Sequence, residues 1–198
     1  MTNINKKTYA MNVITPMKPW KTWLLRAIFF ALGHIKSLQA YLINLSFIHF
    51  ARWVIIRRDA FPYLGGSQER EQIKYDYLLF FSNFNGTWDQ YIDAFSAVLA
   101  NGLNKIWRWS EKYPGALPVT PFKQYIGRVQ FETDHYYSAY PHATTNDVKG
   151  AHRVQAALDA FANESAGMGP DEFARAYVRF LVKVQIDLGT TGAAPVGT

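Results

Sequence analysis

The sequence predicts an α+β domain: a small, largely antiparallel sheet covered by helices, with an amphipathic helix in front and two helices behind. Three observations carry that prediction. Two dense runs of β-branched and aromatic residues, SFIHFARWVII at 46–56 and YLLFFSNF at 77–84, read as strands. Helix starts follow, because Thr87 with Gln90 and Thr144 with Asp147 have the spacing of capping boxes. The chain has 198 residues, 49% apolar and 16% aromatic, enough for one real core but too short for two ordinary domains.

The first element is a helix over 20–45, WKTWLLRAIFFALGHIKSLQAYLINL, with Pro19 suited to its start. At about 100° per residue, Trp20, Trp23, Leu24, Ala27, Phe30 and Ala31 share one apolar face with residues further along. Lys21, Thr22, Arg26 and Lys36 gather on the other, where Leu25, Phe29 and Leu32 interrupt the polar character. Residues 1–44 are therefore assigned to a basic arm, 45–190 to the α+β domain and 191–198, with little to bury, to a flexible tail.

Charge separates the arm from the body. Nine Lys and Arg residues and no acid occur before Asp59, whereas the remainder carries 12 bases and 15 acids. Such a segment calls for an anionic partner. Nucleic acid is not expected, since the cations are scattered among large aliphatics with no recognition motif. An anionic membrane surface is, with Trp20, Lys21, Trp23, Arg26, Phe30 and Lys36 as the contact residues. A spanning helix needs roughly 20 consecutive apolar residues, and Lys21, Arg26 and Lys36 break every such run. A secretory signal fits poorly because Arg26 interrupts the apolar stretch. The competing reading packs the helix on its own domain or on a twin subunit. The expected location is cytoplasmic, peripheral at the inner membrane face.

Within the body, period-2 alternation puts His49, Ala51, Trp53 and Ile55 on one face of the first strand and Ile48, Phe50, Arg52, Val54 and Ile56 on the other. Both faces are apolar, which predicts a central strand, and Arg52 then needs a partner or a ligand. After the second strand, Gly86 permits a sharp entry into the Thr87 helix and Asp89 sits in its first turn. Strand–turn–helix mechanics alone accounts for Asn83, Asn85 and Asp89; a ligand site is the alternative. A proline-rich loop occupies 113–121, a further strand 131–140, and the last helices run from Thr144 to about Asn163 and from Pro170 through Val184.

The segments LSFIHFARWVII, LLFFSNFNGTWDQYIDAF and DHYYSAYPHATTNDV resemble a bacterial family of uncharacterised proteins over most of the chain. That likeness brings no activity with it. More loosely, HFARWVII and LLFFSNFNG before a helix resemble ferredoxin-like dimeric α+β-barrel domains, a group that includes dye-decolourising peroxidases and small monooxygenases, over about half the chain. This second resemblance implies a ferredoxin-like sheet, a homodimer and haem as a candidate cofactor, for which His49, His135 and His152 are the available axial ligands.

Candidate ligand-binding residues are His49, Arg52, Asn83, Asn85, Asp89, Tyr136 and Tyr140, within a wider polar set that includes Asp134, His135 and His142. No metal site is expected, because neither HExxH nor clustered carboxylates occur. The absence of cysteine excludes disulfides, zinc ribbons and thiol catalysis, and there is no GxSxG, GxxxxGK or GxGxxG. Two functions remain. One is a membrane-peripheral protein that binds an apolar or aromatic small molecule. The other is an oxidative enzyme, haem-dependent or cofactor-free, in which Arg52, Asn83 and His135 polarise a hydrophobic substrate.

Overall fold

The computed structural model of the chain describes residues 3–34 and 46–188. Its strands are β1 (Ile4–Asn5), β2 (Thr8–Met17), β3 (Ile48–Ile56), β4 (Asp76–Asn85) and β5 (Gln130–Phe131). Its α-helices are α1 (Thr22–His34), α2 (Trp88–Trp107), α3 (Val119–Val129), α4 (Thr145–Glu164) and α5 (Pro170–Leu188). The fold is α+β. One antiparallel sheet has the order β1-β2-β4-β3, and β5 also pairs with β2. Because β4 is antiparallel to both neighbours, β2 and β3 run in the same direction, with α1 in the connection between them.

Alternation divides the sheet into two faces. Met11, Val13 and Met17 of β2 stand beside Ser82, Phe80 and Asp76 of β4, while Trp53 and Ile55 of β3 stand beside Phe80 and Leu78. The core lies on this face, under α2, whose Tyr91, Ile92, Phe95, Leu103, Ile106 and Trp107 recur at helical spacing and are buried. Phe84 stacks on Tyr91 with ring centroids 3.8 Å apart, and Phe80 meets Trp107 edge-on at 5.0 Å. The Tyr91 hydroxyl donates to Ser82 Oγ at 3.0 Å, so its burial leaves no unpaired phenol. Each fully buried side chain of this size contributes roughly 1.5–3 kcal/mol. The opposite face presents Ile14, Leu79, Phe81 and Val54, with Val54 exposed.

Both capping boxes form, at Thr87 with Gln90 and at Thr144 with Asp147. Other expectations are corrected. The strand at 46–56 is not central: β3 ends the sheet, paired among the described residues with β4 alone. Its second apolar face is the uncovered one. The expected strand at 131–140 stops at Phe131. Beyond it, side chains replace ladder bonds, with Asn12 Nδ2 donating to Thr133 Oγ1 at 2.6 Å and Asn5 Nδ2 to the Tyr136 carbonyl at 3.3 Å.

Longer elements also arise where none is expected. Thr8–Met17, assigned to the arm, is a central strand of the sheet. Helix α3 starts inside the proline-rich run, which is tolerated because Pro121 falls in its first turn. The helix expected from Trp20 begins at Thr22, after a 3-10 turn at Pro19–Lys21. Its inward side is also reversed: Thr22 and Leu25 are buried, and Phe29 and Leu32 pack on the core. The remainder of that prediction, 35–45 with Lys36, and the tail 191–198 lie outside the described residues.

Helices α4 and α5 form a hairpin. At Gly150 a β-carbon would come within 3.3 Å of Asp187 Oδ1, so the helices approach closely there. Arg153 Nε donates to Asp187 Oδ2 at 3.0 Å, and Phe161 gathers Phe173, Tyr177 and Phe180 around it. Leu158, Val178, Val182 and Ile186 remain exposed.

Candidate functional site

The site begins with a bulge in β3. Ile48 pairs with Phe84 but Phe50 pairs with Asn83, leaving His49 as the extra residue. Two neighbouring segments are fastened beside it. The Lys7 N–H donates to the Pro141 carbonyl at 3.0 Å, holding the end of the 133–141 segment against the start of β2. Asn85 Oδ1 accepts from the backbone N–H of Thr145 at 2.9 Å and from its hydroxyl at 3.1 Å, holding the first turn of α4. Between β3, this segment and α4 lies a cavity of about 810 Å³.

Ile48, Phe50, Trp53, Phe95 and Val148 give the cavity apolar walls. Tyr137 and Tyr140 also line it while remaining 77% and 74% exposed. One wall is polar. Thr8, Asn83 and Tyr136 meet there, and Asn83 Nδ2 donates to the Tyr136 hydroxyl at 2.9 Å. Burial raises the Tyr136 pKa, with hydrogen bonds to Asn83 and Thr8 opposing, so the phenol is neutral at physiological pH. Burial likewise lowers the His49 pKa, with a hydrogen bond to Asn85 opposing, which keeps the imidazole neutral near pH 7. His49 Nε2 and Trp53 Nε1 are buried without a hydrogen-bond partner. Such an arrangement can enclose an apolar or aromatic body and orient one polar end of it.

Four of the seven predicted ligand-binding residues come together in this cavity: His49, Asn83, Tyr136 and Tyr140. The other three do not. Asn85 is used structurally, its Nδ2 donating to the Lys7 carbonyl at 2.7 Å in addition to its bonds to Thr145. Asp89 is exposed and pairs with Lys123 at 2.9 Å. Arg52 lies on the same sheet face as Asn83 but is exposed and stacks over the Phe81 ring at 4.9 Å. His135 is exposed and does not line the cavity, so Arg52, Asn83 and His135 do not converge. Trp53, Phe95 and Val148 line the cavity without being among the expected residues. Their helix and strand periodicity is visible, but only the fold brings the three elements together.

Haem requires an axial nitrogen open to the iron. His49 Nε2 is covered by protein, and His135 and His152 are exposed away from the cavity, so these residues do not fit that group. Among the described residues no three His, Asp or Glu side chains gather as a metal site needs.

Of the residues assigned to membrane contact, Trp20, Trp23, Arg26 and Phe30 lie on the outer side of the first helical segment, and Lys36 lies outside the described residues. Trp20, Trp23 and Phe30 are 64%, 65% and 70% exposed, Arg26 is exposed between them, and Lys21 Nζ lies 5.4 Å from the Trp20 ring. Among the described residues no helix is long and apolar enough to cross a membrane. No family model, no curated protein and no solved structure matches the chain.

Proposed function

We propose that this protein binds an apolar or aromatic small molecule in the cavity beside β3, from a peripheral position on the inner face of an anionic membrane. The cavity carries the reading: its roughly 810 Å³ falls inside the range of about 300–1,000 Å³ typical of small-molecule sites. Aromatic walls favour a flat or greasy body, and the Thr8–Asn83–Tyr136 wall supplies neutral polar groups for one end of it. The exposed Trp20, Trp23 and Phe30 beside basic residues support the peripheral placement.

Two structural readings belong with it. The order β5-β2-β4-β3, with α1 between β2 and β3 and helices between β4 and β5, supports a ferredoxin-like topology. The uncovered apolar sheet face and the exposed leucine and valines of the α4–α5 hairpin support a homodimer. The oxidative alternative has weaker support, because its three polarising residues do not share a site.

Native mass spectrometry of gently purified protein tests the binding reading. Wild type is expected to carry a retained molecule of a few hundred daltons, on the scale of such cavities, that Asn83→Ala with Tyr136→Phe releases. Identical apo spectra for both, with no uptake of added aromatic compounds, would reject it.

A further inference from the structure

A second cleft, of about 290 Å³, lies beside the start of α1 and is lined by Thr22, Arg26, Arg57, Arg58, Asp59 and Asp76 together with Pro19 and Trp23. We propose that it holds the phosphoryl headgroup of an anionic lipid, an inference that rests on the peripheral-membrane reading and gives it a site.

The two acids of the cleft already have hydrogen-bond or ion-pair partners. Asp76 is buried, its Oδ2 accepting from the Thr22 hydroxyl and its Oδ1 from the Arg58 backbone N–H at 2.9 Å. Asp59 pairs with Arg57. Among the described residues no acid lies within 4.0 Å of the Arg26 or Arg58 guanidinium. The lining carries three arginines against two carboxylates, and Arg26 and Arg58 thus line the cleft without an ion pair. Their forked donors suit phosphoryl oxygens better than a lone ammonium does, because both N–H groups can bind the same group in plane.

The surroundings favour a lipid over a soluble phosphate. Trp23 lines the cleft and is mostly exposed, Trp20 stands three residues before it, and Phe30 continues the same outward stripe two turns on. Indole rings settle at the headgroup level of a bilayer, where a phosphoryl group is also found. The cleft floor is fixed as well. Asp76 joins the start of β4 to the first residue of α1 and to the turn at Arg58–Ala60, so the three arginines are carried by anchored backbone.

Flotation with vesicles decides the matter. The probes are phosphatidylglycerol-containing and pure phosphatidylcholine vesicles, with wild type, Arg26→Ala/Arg58→Ala and a control, Arg175→Ala/Lys183→Ala, on the exposed side of α5. Wild type is expected to prefer the phosphatidylglycerol vesicles. The cleft variant is expected to lose about thirty-fold in affinity, at about 1 kcal/mol per basic residue, and the control less than about threefold. Equal losses in both variants would show diffuse electrostatics and overturn the site while leaving the peripheral reading intact. Failure of wild type to float on either vesicle would overturn both. Calorimetric binding of inorganic phosphate that is lost in the cleft variant, without vesicle binding, would overturn the lipid as its source.

Discussion

Asn85 and Thr145, sixty positions apart, are joined by two hydrogen bonds to one oxygen: Asn85 Oδ1 accepts the backbone N–H and the hydroxyl of Thr145 at 2.9 and 3.1 Å. The end of β4 therefore holds the first turn of α4, and with it one wall of the cavity. Removing the amide strands a buried N–H and the Lys7 carbonyl together. Asn85→Ala is expected to destabilise the fold by about 1–3 kcal/mol in urea unfolding. Asp89→Ala, at an exposed ion pair, is expected to move the midpoint far less and to leave ligand retention unchanged.

The His49 imidazole gives an acid-side signature. Its folded pKa lies below its ordinary 6.5, so the unfolded chain takes up the proton more readily. Stability is then full above about pH 6.5 and falls as pH drops through the folded value. Urea midpoints between pH 7.5 and 5.5 are expected to fall more steeply for wild type than for His49→Gln. Parallel slopes would place the imidazole in a water-like setting.

Burial raises the Tyr125 phenol to about 12. Above pH 10 the unfolded chain loses this proton while the folded one keeps it, so stability declines from pH 10 toward 12. Tyr125→Phe is expected to make that alkaline limb shallower, measured as melting temperature against pH, with Tyr91, Tyr113 and Tyr136, also raised by burial, carrying the rest. An unchanged limb would assign it to other groups.

Assembly is tested at Val54, exposed on the uncovered sheet face beside Leu79. Light scattering is expected to give a dimer for wild type and a monomer for Val54→Asp, with unchanged far-ultraviolet circular dichroism. Buried in an apolar interface, a carboxylate without a partner costs several kcal/mol, more than a modest interface tolerates. A monomeric wild type at micromolar concentration would end the dimer reading.

Much of the fold is legible in the residues, because local chemistry decides it. The capping pairs at Thr87 and Thr144 mark helix starts without reference to anything distant, and YLLFFSNF has too many aromatics for a loop. Thr8–Met17 hides for a local reason too: its alternation of Tyr9, Met11 and Val13 is followed by Pro16, a residue that argues against a central strand. The apolar second face of β3 is ambiguous by nature, since burial under helices and burial under a twin subunit select the same side chains. In the site, His49, Asn83, Tyr136 and Tyr140 are readable as polar or aromatic outliers. Phe95 and Val148 are not, because each is an ordinary apolar helix residue, Phe95 in the core and Val148 on the helix whose first turn Asn85 holds.

The cavity beside β3 is proposed to take up an apolar or aromatic molecule. Titration with the neutral fluorophore N-phenyl-1-naphthylamine tests it, comparing wild type with Ala139→Trp, a change that adds an indole at an exposed lining residue outside the core. Saturable uptake of one probe per chain is expected in wild type, weakened in Ala139→Trp at unchanged thermal stability. Equal uptake by both proteins would contradict it.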